Sequence, residues 1–372
     1  MIEQAKKLLV GGVAAAALLT GSAMLAQAAD KVKIGMITTL STKAGYLGDD
    51  IRKGFALAIE QQNGMLGGVA VDLMVEDDTR KPEVARQIAT RMIEQEKVKL
   101  MTGIVFSNVA MAVVPKVVKQ GVVYVSPNAG PSILAGKKCD PNYFNVAWQN
   151  DNLHEAMGKY VNDKGYKKVY LLAPNYPAGT DALAGFKRFY KGEVVKEVYT
   201  KLGQSDYAAE ISSLRAAGPD AVFFFYPGGM GINFTKQYAQ AGLVGQIPAF
   251  GPAFSFDDTL VDAVGDAALG VVNSSQWARD LDNAANKKFV ADYTAKYGKN
   301  PTLYASQGYD AANLIGSALK AVGGNLDDMD AFRAALKKAE FNSVRGNFRF
   351  GNNNPCQRGR HTGPGCVAKR SE

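Results

Sequence analysis

The chain has 372 residues, 47% of them hydrophobic, with 43 basic and 35 acidic side chains and a net charge of +8. That composition excludes general disorder, and the length suffices for two lobes of ordinary domain size. Apart from a basic end over residues 353–372, both signs are interspersed along the body and no basic cluster forms there, so nucleic acid is not an expected partner.

Lys6 and Lys7 precede an uncharged run from Leu8 to Leu25, and Ala26-Gln27-Ala28 supplies a small-x-small cleavage triplet. Residues 1–28 are read as a cleaved export signal, with a retained membrane helix as the rival reading. From Val32 the sequence alternates short β-rich runs with helical periodicity. Strands are predicted over Val32–Leu40, Val69–Val75, Lys99–Val105 and Val122–Val125, with helices over Asp49–Gln62, Pro82–Glu94 and Val109–Lys119 between them. The pattern restarts after Asn152. Strands at Lys168–Ala173, Val194–Tyr199, Ala221–Tyr226 and Gln246–Phe250 alternate with helices at Asn152–Asn162, Asp181–Tyr190, Tyr207–Ala216 and Ile232–Ala241. Helices at Asn283–Tyr297, Tyr304–Ala321 and Asp328–Ala339 then precede a last expected strand, Gly346–Phe350. Two βαβ sets of this kind predict an α/β protein of two doubly wound lobes. In such sheets ligands bind beyond the carboxyl ends of the strands, so the segments following those ends are the site candidates.

Catalytic chemistry is sparse. His154 and His361 are the two histidines, and His154, in a helix beside Glu155, is read as a solvated surface residue. No Gly-x-Ser-x-Gly elbow occurs. The run Gly130 to Lys138 misses P-loop spacing, and Gly228-Gly229-Met230-Gly231 reads as a tight strand-to-helix turn. Metal-ligand spacing is missing, and Glu76-Asp77-Asp78 reads as a solvated strand end. Neither a cofactor nor a metal is expected, and the chain is not read as an enzyme. Of the three cysteines, Cys139 is read as a lone buried thiol, while Cys356 and Cys366 are free to bridge or not.

Several segments together resemble the type I periplasmic solute-binding proteins of ABC transporters, the branch related to leucine/isoleucine/valine-binding proteins. They are Gly45-Tyr46-Leu47-Gly48, Asn63 to Gly68, Glu76-Asp77-Asp78, Ser126-Pro127, Phe144-Asn145, Phe289 to Tyr297 and Tyr309-Asp310-Ala311. The resemblance spans about Val32 to Phe350. It implies a central cleft, three crossovers between lobes, and a periplasmic monomer that closes on a small carboxylate ligand and delivers it to an inner-membrane ABC permease. Lobe one would take residues 29–147 and 275–340, lobe two 148–274 and 341–351, leaving 352–372 as an atypical basic tail.

The resemblance also implies where ligand contacts fall. Ser107 and Asn108 match a loop offering hydroxyl and amide groups at a helix start, and Asn128, Ala129 and Gly130 match a second loop; both would aim N–H groups at a carboxylate. The alternative is that Ser107 and Asn108 only cap their helix. Amino-acid-binding members carry an acid after Gly-Pro in lobe two to pair the ligand ammonium, but here the segment is Gly251-Pro252-Ala253-Phe254. Asp257 is the nearby acid able to compensate. The surrounding segments offer Tyr46, Leu47, Phe106, Tyr176, Tyr226, Phe254 and Trp277, whereas Phe223 to Phe225 are assigned to the sheet core. A flat carboxylate without a required amine is the expected ligand, such as a benzoate, a hydroxybenzoate or a phenylpropenoid acid. A branched-chain amino acid or an amide is the alternative, as is a role as a ligand-sensing receptor domain.

Overall fold

The computed structural model describes residues 31–256 and 258–351. The expected signal, Asp257 and the basic tail therefore lie outside the described residues. In the first half, β1 (Val32–Thr38) leads to α1 (Gly45–Glu60), β2 (Met65–Leu66), β3 (Val69–Asp77), α2 (Pro82–Glu94), β4 (Leu100–Thr102), α3 (Ser107–Lys119), β5 (Val123–Ser126), α4 (Ser132–Ala135) and β6 (Tyr143–Asn145). The second half runs α5 (Asn152–Asp163), β7 (Lys168–Pro174), α6 (Pro177–Phe189), β8 (Glu193–Thr200), α7 (Ala208–Ala217), β9 (Ala221–Phe224), α8 (Gly229–Gln240), β10 (Ala249–Pro252), α9 (Asp258–Val264) and β11 (Val272–Ser274). Three further helices, α10 (Ala284–Tyr297), α11 (Leu303–Ala321) and α12 (Met329–Lys338), return to the first sheet, where α11 packs along α1.

The first sheet is ordered β2-β3-β1-β4-β5-β6 and the second β11-β10-β9-β7-β8. Apart from the antiparallel β2–β3 pair, every strand pairing among the described residues is parallel. Leaving β2 aside, both sheets have the same order, in which the first strand lies between the second and the third. Strand order thus reverses at β1/β4 and again at β7/β9, and a crevice opens beyond the carboxyl ends at each reversal. The strands facing these crevices are apolar on both sides, as strands covered by helices on two faces must be. Close contact between α1 and α11 depends on glycine, since a Cβ on Gly54 would stand 2.0 Å from Ala305 O and one on Gly308 2.0 Å from Ile51 O.

Three expectations are corrected here. Gly346–Phe350 forms no strand; Ser343 and Gly346 make only an isolated bridge. The segment's hydrogen bonds go instead to buried Asp310, which accepts from Ser343 Oγ (2.6 Å), Val344 N (3.0 Å) and Arg345 Nε (3.0 Å). Cys139 is half-buried and disulfide-bonded rather than a lone buried thiol. Nor is the acidic strand end simply solvated. Asp78 is fully buried and accepts from Thr39 Oγ1 at 2.6 Å and Arg80 N at 2.7 Å, while Asp77 accepts from Leu40 N and Thr79 N. These carboxylates tie the loop after β1 to the loop after β3, which fixes the chain entering α1. Desolvation raises the Asp78 pKa above the ordinary carboxylate value.

Candidate ligand cavity

Both reversal points open onto one narrow cavity lined from both sheets, in the crevice where open α/β sheets bind their ligands. From the first sheet it takes Leu47 on α1, Val105, Phe106 and Ser107 beyond β4, and Asn128 and Ala129 beyond β5. Beyond the strands of the second sheet come Tyr176 and Ala178, Phe225 and Pro227, and Phe254. Trp148 and Asn150 on the crossover, His154 at the start of α5, and Tyr304 at the start of α11 complete the wall. All of these residues except Tyr176 are buried. None of them is Asp, Glu, Lys or Arg.

The polar part of the wall is organised by Asn150. Its Oδ1 accepts from Gly130 N at 3.2 Å, while its Nδ2 donates to Ser107 Oγ at 3.1 Å and to Asp181 Oδ2 at 3.0 Å. Ser107 therefore has a lone pair occupied by Asn150 and a hydroxyl proton left to give. The first intrahelical bond of α3 is Ala110 N to Phe106 O, so the N–H groups at the start of the helix carry no intrahelical bond. Those donors and the positive end of the helix dipole favour a negative oxygen. The helices α1, α3, α6 and α8 all begin at or beside the cavity, and none has an acidic residue in its first turn to compensate the dipole.

The two halves meet across the cavity. Asp181 on α6 accepts from Ser132 N at 2.9 Å as well as from Asn150. Desolvation raises its pKa above the usual carboxylate value. Gly228, at φ 63°, starts α8 so close to Tyr46 that a Cβ there would stand 2.8 Å from the Tyr46 hydroxyl. The aromatic part of the wall is a continuous packing. Trp148 meets Phe254 edge-on at 4.3 Å, Phe254 meets Phe225 at 6.0 Å and Tyr304 at 6.1 Å, and Phe225 lies parallel to Tyr176 at 6.3 Å.

Of the twelve residues expected at the site, Leu47, Phe106, Ser107, Asn128, Ala129, Tyr176 and Phe254 line the cavity, whereas Tyr46, Asn108, Gly130, Tyr226 and Trp277 do not. Tyr46 lies at the junction with α8, as described above. Tyr226 is buried in the second sheet's other core, against Tyr207 and Phe234. Trp277 packs on Phe289 and donates to Asn286 Oδ1 at 2.7 Å. Asn108 is half-buried on α3, outside the wall. Two of the three N–H groups expected to be free on the second loop are occupied, since Ala129 N donates to Ile104 O and Gly130 N to Asn150 Oδ1. Capping is also ruled out for Ser107 and Asn108, since the N-cap is Phe106 and no side-chain cap bond forms. Phe225 lines the cavity, so only Phe223 and Phe224 of that run are purely core.

His154 is not a surface residue. It is 1% exposed, lies between Phe223 at 5.7 Å and Phe225 at 5.2 Å, and burial lowers its pKa to about 3. Sequence reasoning missed His154, Asn150 and Trp148. For His154 a signal was present, because residues 154, 157, 158 and 161 form the buried stripe of α5 at helical spacing.

Comparison with known proteins agrees with this architecture. The model of the periplasmic binding protein family matches residues 31–362, and the chain belongs to that family. It is a solute-binding protein of an ABC transporter, a binding component and not an enzyme, with a small-molecule ligand and a membrane permease as partners. Among solved structures, a solute-binding protein from R. palustris in complex with benzoate is 32% identical, with a TM-score of 0.84 over 92% of this chain and 98% of that one. A second R. palustris solute-binding protein, in complex with 4-hydroxybenzoate, is 25% identical, with a TM-score of 0.82 over 92% and 96% of the two chains. The Leu/Ile/Val-binding protein homolog 6 of Brucella melitensis is 29% identical over 327 residues, covering 86% of this chain and 83% of the relative.

Proposed function

We propose that this protein captures an aromatic carboxylate in the periplasm and hands it to its permease. The observation that carries the reading is the chemistry of the wall. It joins a donor-rich helix start at Ser107 to a sleeve of Phe106, Trp148, Tyr176, Phe225 and Phe254, with no acid among the described lining residues. A carboxylate is satisfied by the Ser107 hydroxyl and the N–H groups of α3. An aromatic ring is satisfied by edge-on and parallel contacts with the sleeve. The ammonium of leucine or valine would be buried here without a carboxylate partner, at a cost of roughly several kcal/mol. The likeness to benzoate- and hydroxybenzoate-bound proteins supports the same choice. The Leu/Ile/Val-binding relative favours the alternative of a branched-chain amino acid.

Calorimetry with benzoate, 4-hydroxybenzoate, coumarate, leucine and valine tests the reading. The expected result is that at least one aromatic acid binds about tenfold or more tightly than either amino acid, a difference of about 1.4 kcal/mol. Tighter binding of leucine or valine would overturn it.

A further inference from the structure

Among the described residues, two polar side-chain atoms on the buried wall, Asn128 Oδ1 and His154 Nδ1, have no hydrogen-bond partner. Asn128 belongs to the Ser107 end of the cavity, because its Nδ2 is held by Val105 O at 2.7 Å. His154 comes from the other side. Its helix α5 packs on α6 and on β10 and β11 of the second sheet, whereas α3 follows β4 of the first. Packing alone gives no reason for an imidazole here. Its neighbours on the buried stripe are Met157 and Val161, and its ring contacts are with Phe223 and Phe225, surroundings that a leucine or phenylalanine would fill without burying a polar atom. Burial is the sole cause that shifts its titration, and it keeps the ring neutral. A neutral imidazole has one N–H and one free lone pair, so it can accept from a phenol.

We infer that His154 is the specificity residue that binds a hydroxyl on the ring of the ligand, opposite the carboxylate end at Ser107. This rests on the aromatic-acid reading above and narrows it to hydroxylated aromatic carboxylates. With the anion on one wall and a hydrogen-bond acceptor on the other, an unsubstituted ring leaves His154 unpaired, whereas a hydroxylated ring satisfies it. A site that binds a hydroxyl discriminates against the analogue lacking it, because its own buried group is then left without a partner.

The test is calorimetry of the intact protein with benzoate and with 2-, 3- and 4-hydroxybenzoate, repeated on His154→Leu and His154→Gln. The wild type is expected to bind one monohydroxy isomer about tenfold more tightly than benzoate. That ratio should fall to about one in His154→Leu and be partly restored in His154→Gln, which keeps a hydrogen-bonding side chain. In a parallel nitrogen-detected NMR titration, the imidazole resonances absent from His154→Leu should shift with the favoured hydroxybenzoate and much less with benzoate. Benzoate binding as tightly as every hydroxy isomer would overturn the inference while leaving the aromatic-acid reading intact. So would an unchanged ratio in His154→Leu. If none of the four acids binds the wild type, this inference fails, and the aromatic-acid reading fails with it only if coumarate does not bind either.

Discussion

The first and second sheets share a strand order, yet the walls they contribute to the cavity differ in chemistry. The first presents Ser107, Asn128 and the start of α3, with Asn150 of the crossover holding the serine hydroxyl. The second presents Tyr176, Phe225 and Phe254, with His154 from α5. Topology determines where the crevice lies and is indifferent to what fills it. On one wall the loops provide direction, through donors that recognise a charge. On the other they provide shape, through rings that recognise a flat body. A ligand has to satisfy both.

Substitutions on the two walls should therefore fail in different ways. The largest effect is expected on the aromatic wall. Phe254→Ala removes a buried ring packed on Trp148 and Phe225, and should lower unfolding free energy by about 3–5 kcal/mol along with affinity. Denaturant titration and calorimetry on the same variant would measure both, and an unaltered fold with weakened binding would mean that the ring serves the ligand alone. Ser107→Ala on the polar wall should instead cost about 1.5–3 kcal/mol of carboxylate binding, because a hydrogen bond to a charged group is lost. Stability should also fall, by about 1 kcal/mol, because the buried Nδ2 of Asn150 loses one of its two acceptors, although no helix cap is lost. Equal losses for a carboxylate and its amide analogue would show that the hydroxyl does not recognise charge.

Acid should act on the second wall through His154. Its folded pKa of about 3 lies below the ordinary histidine value of 6.5, so the unfolded chain binds the extra proton between these values. Stability should then fall as pH drops through 6.5, by about 2 kcal/mol between pH 7 and pH 5 from this residue alone. Urea titrations across that range should show the slope, and His154→Gln should flatten it; an equal slope in that variant would assign the acid sensitivity elsewhere. The smallest effect is expected where the walls join. Asp181→Asn weakens the acceptor shared by Ser132 N and Asn150 Nδ2, and should cost about 0.5–1.5 kcal/mol for every ligand alike. A loss confined to one ligand class would put Asp181 in recognition rather than in joining the halves.

The fold was largely legible because hydrophobic alternation repeats in two sets, and that repetition specifies the strand ends at which Phe106, Ser107, Asn128 and Tyr176 lie. Alternation also explains two misassignments just beyond β9, Phe225 expected in the core and Tyr226 expected at the site. Phe223 and Phe225 face one core while Phe224 and Tyr226 face the other, so Phe225 reaches the cavity and Tyr226 cannot. Treating that run as uniformly apolar hid the distinction. Trp148 and Asn150 were beyond reach for a different reason. They lie on an irregular crossover, where no period relates sequence to direction, and only the tertiary fold brings Asn150 between Ser107 and Asp181. Trp277 misled because an aromatic residue near a crossing looks the same in sequence whether it meets a ligand or Asn286.

The burial of the cavity wall has a kinetic consequence. Apart from Tyr176 each wall residue is shielded from solvent, so on the proposed function a seated ligand is expected to leave only as the halves part. The dissociation rate is then capped by the opening rate, and differences in affinity among ligands should appear mainly as differences in residence time. Delivery becomes a mechanical matter. A membrane partner that holds the halves apart sets the pace of release without touching the cargo.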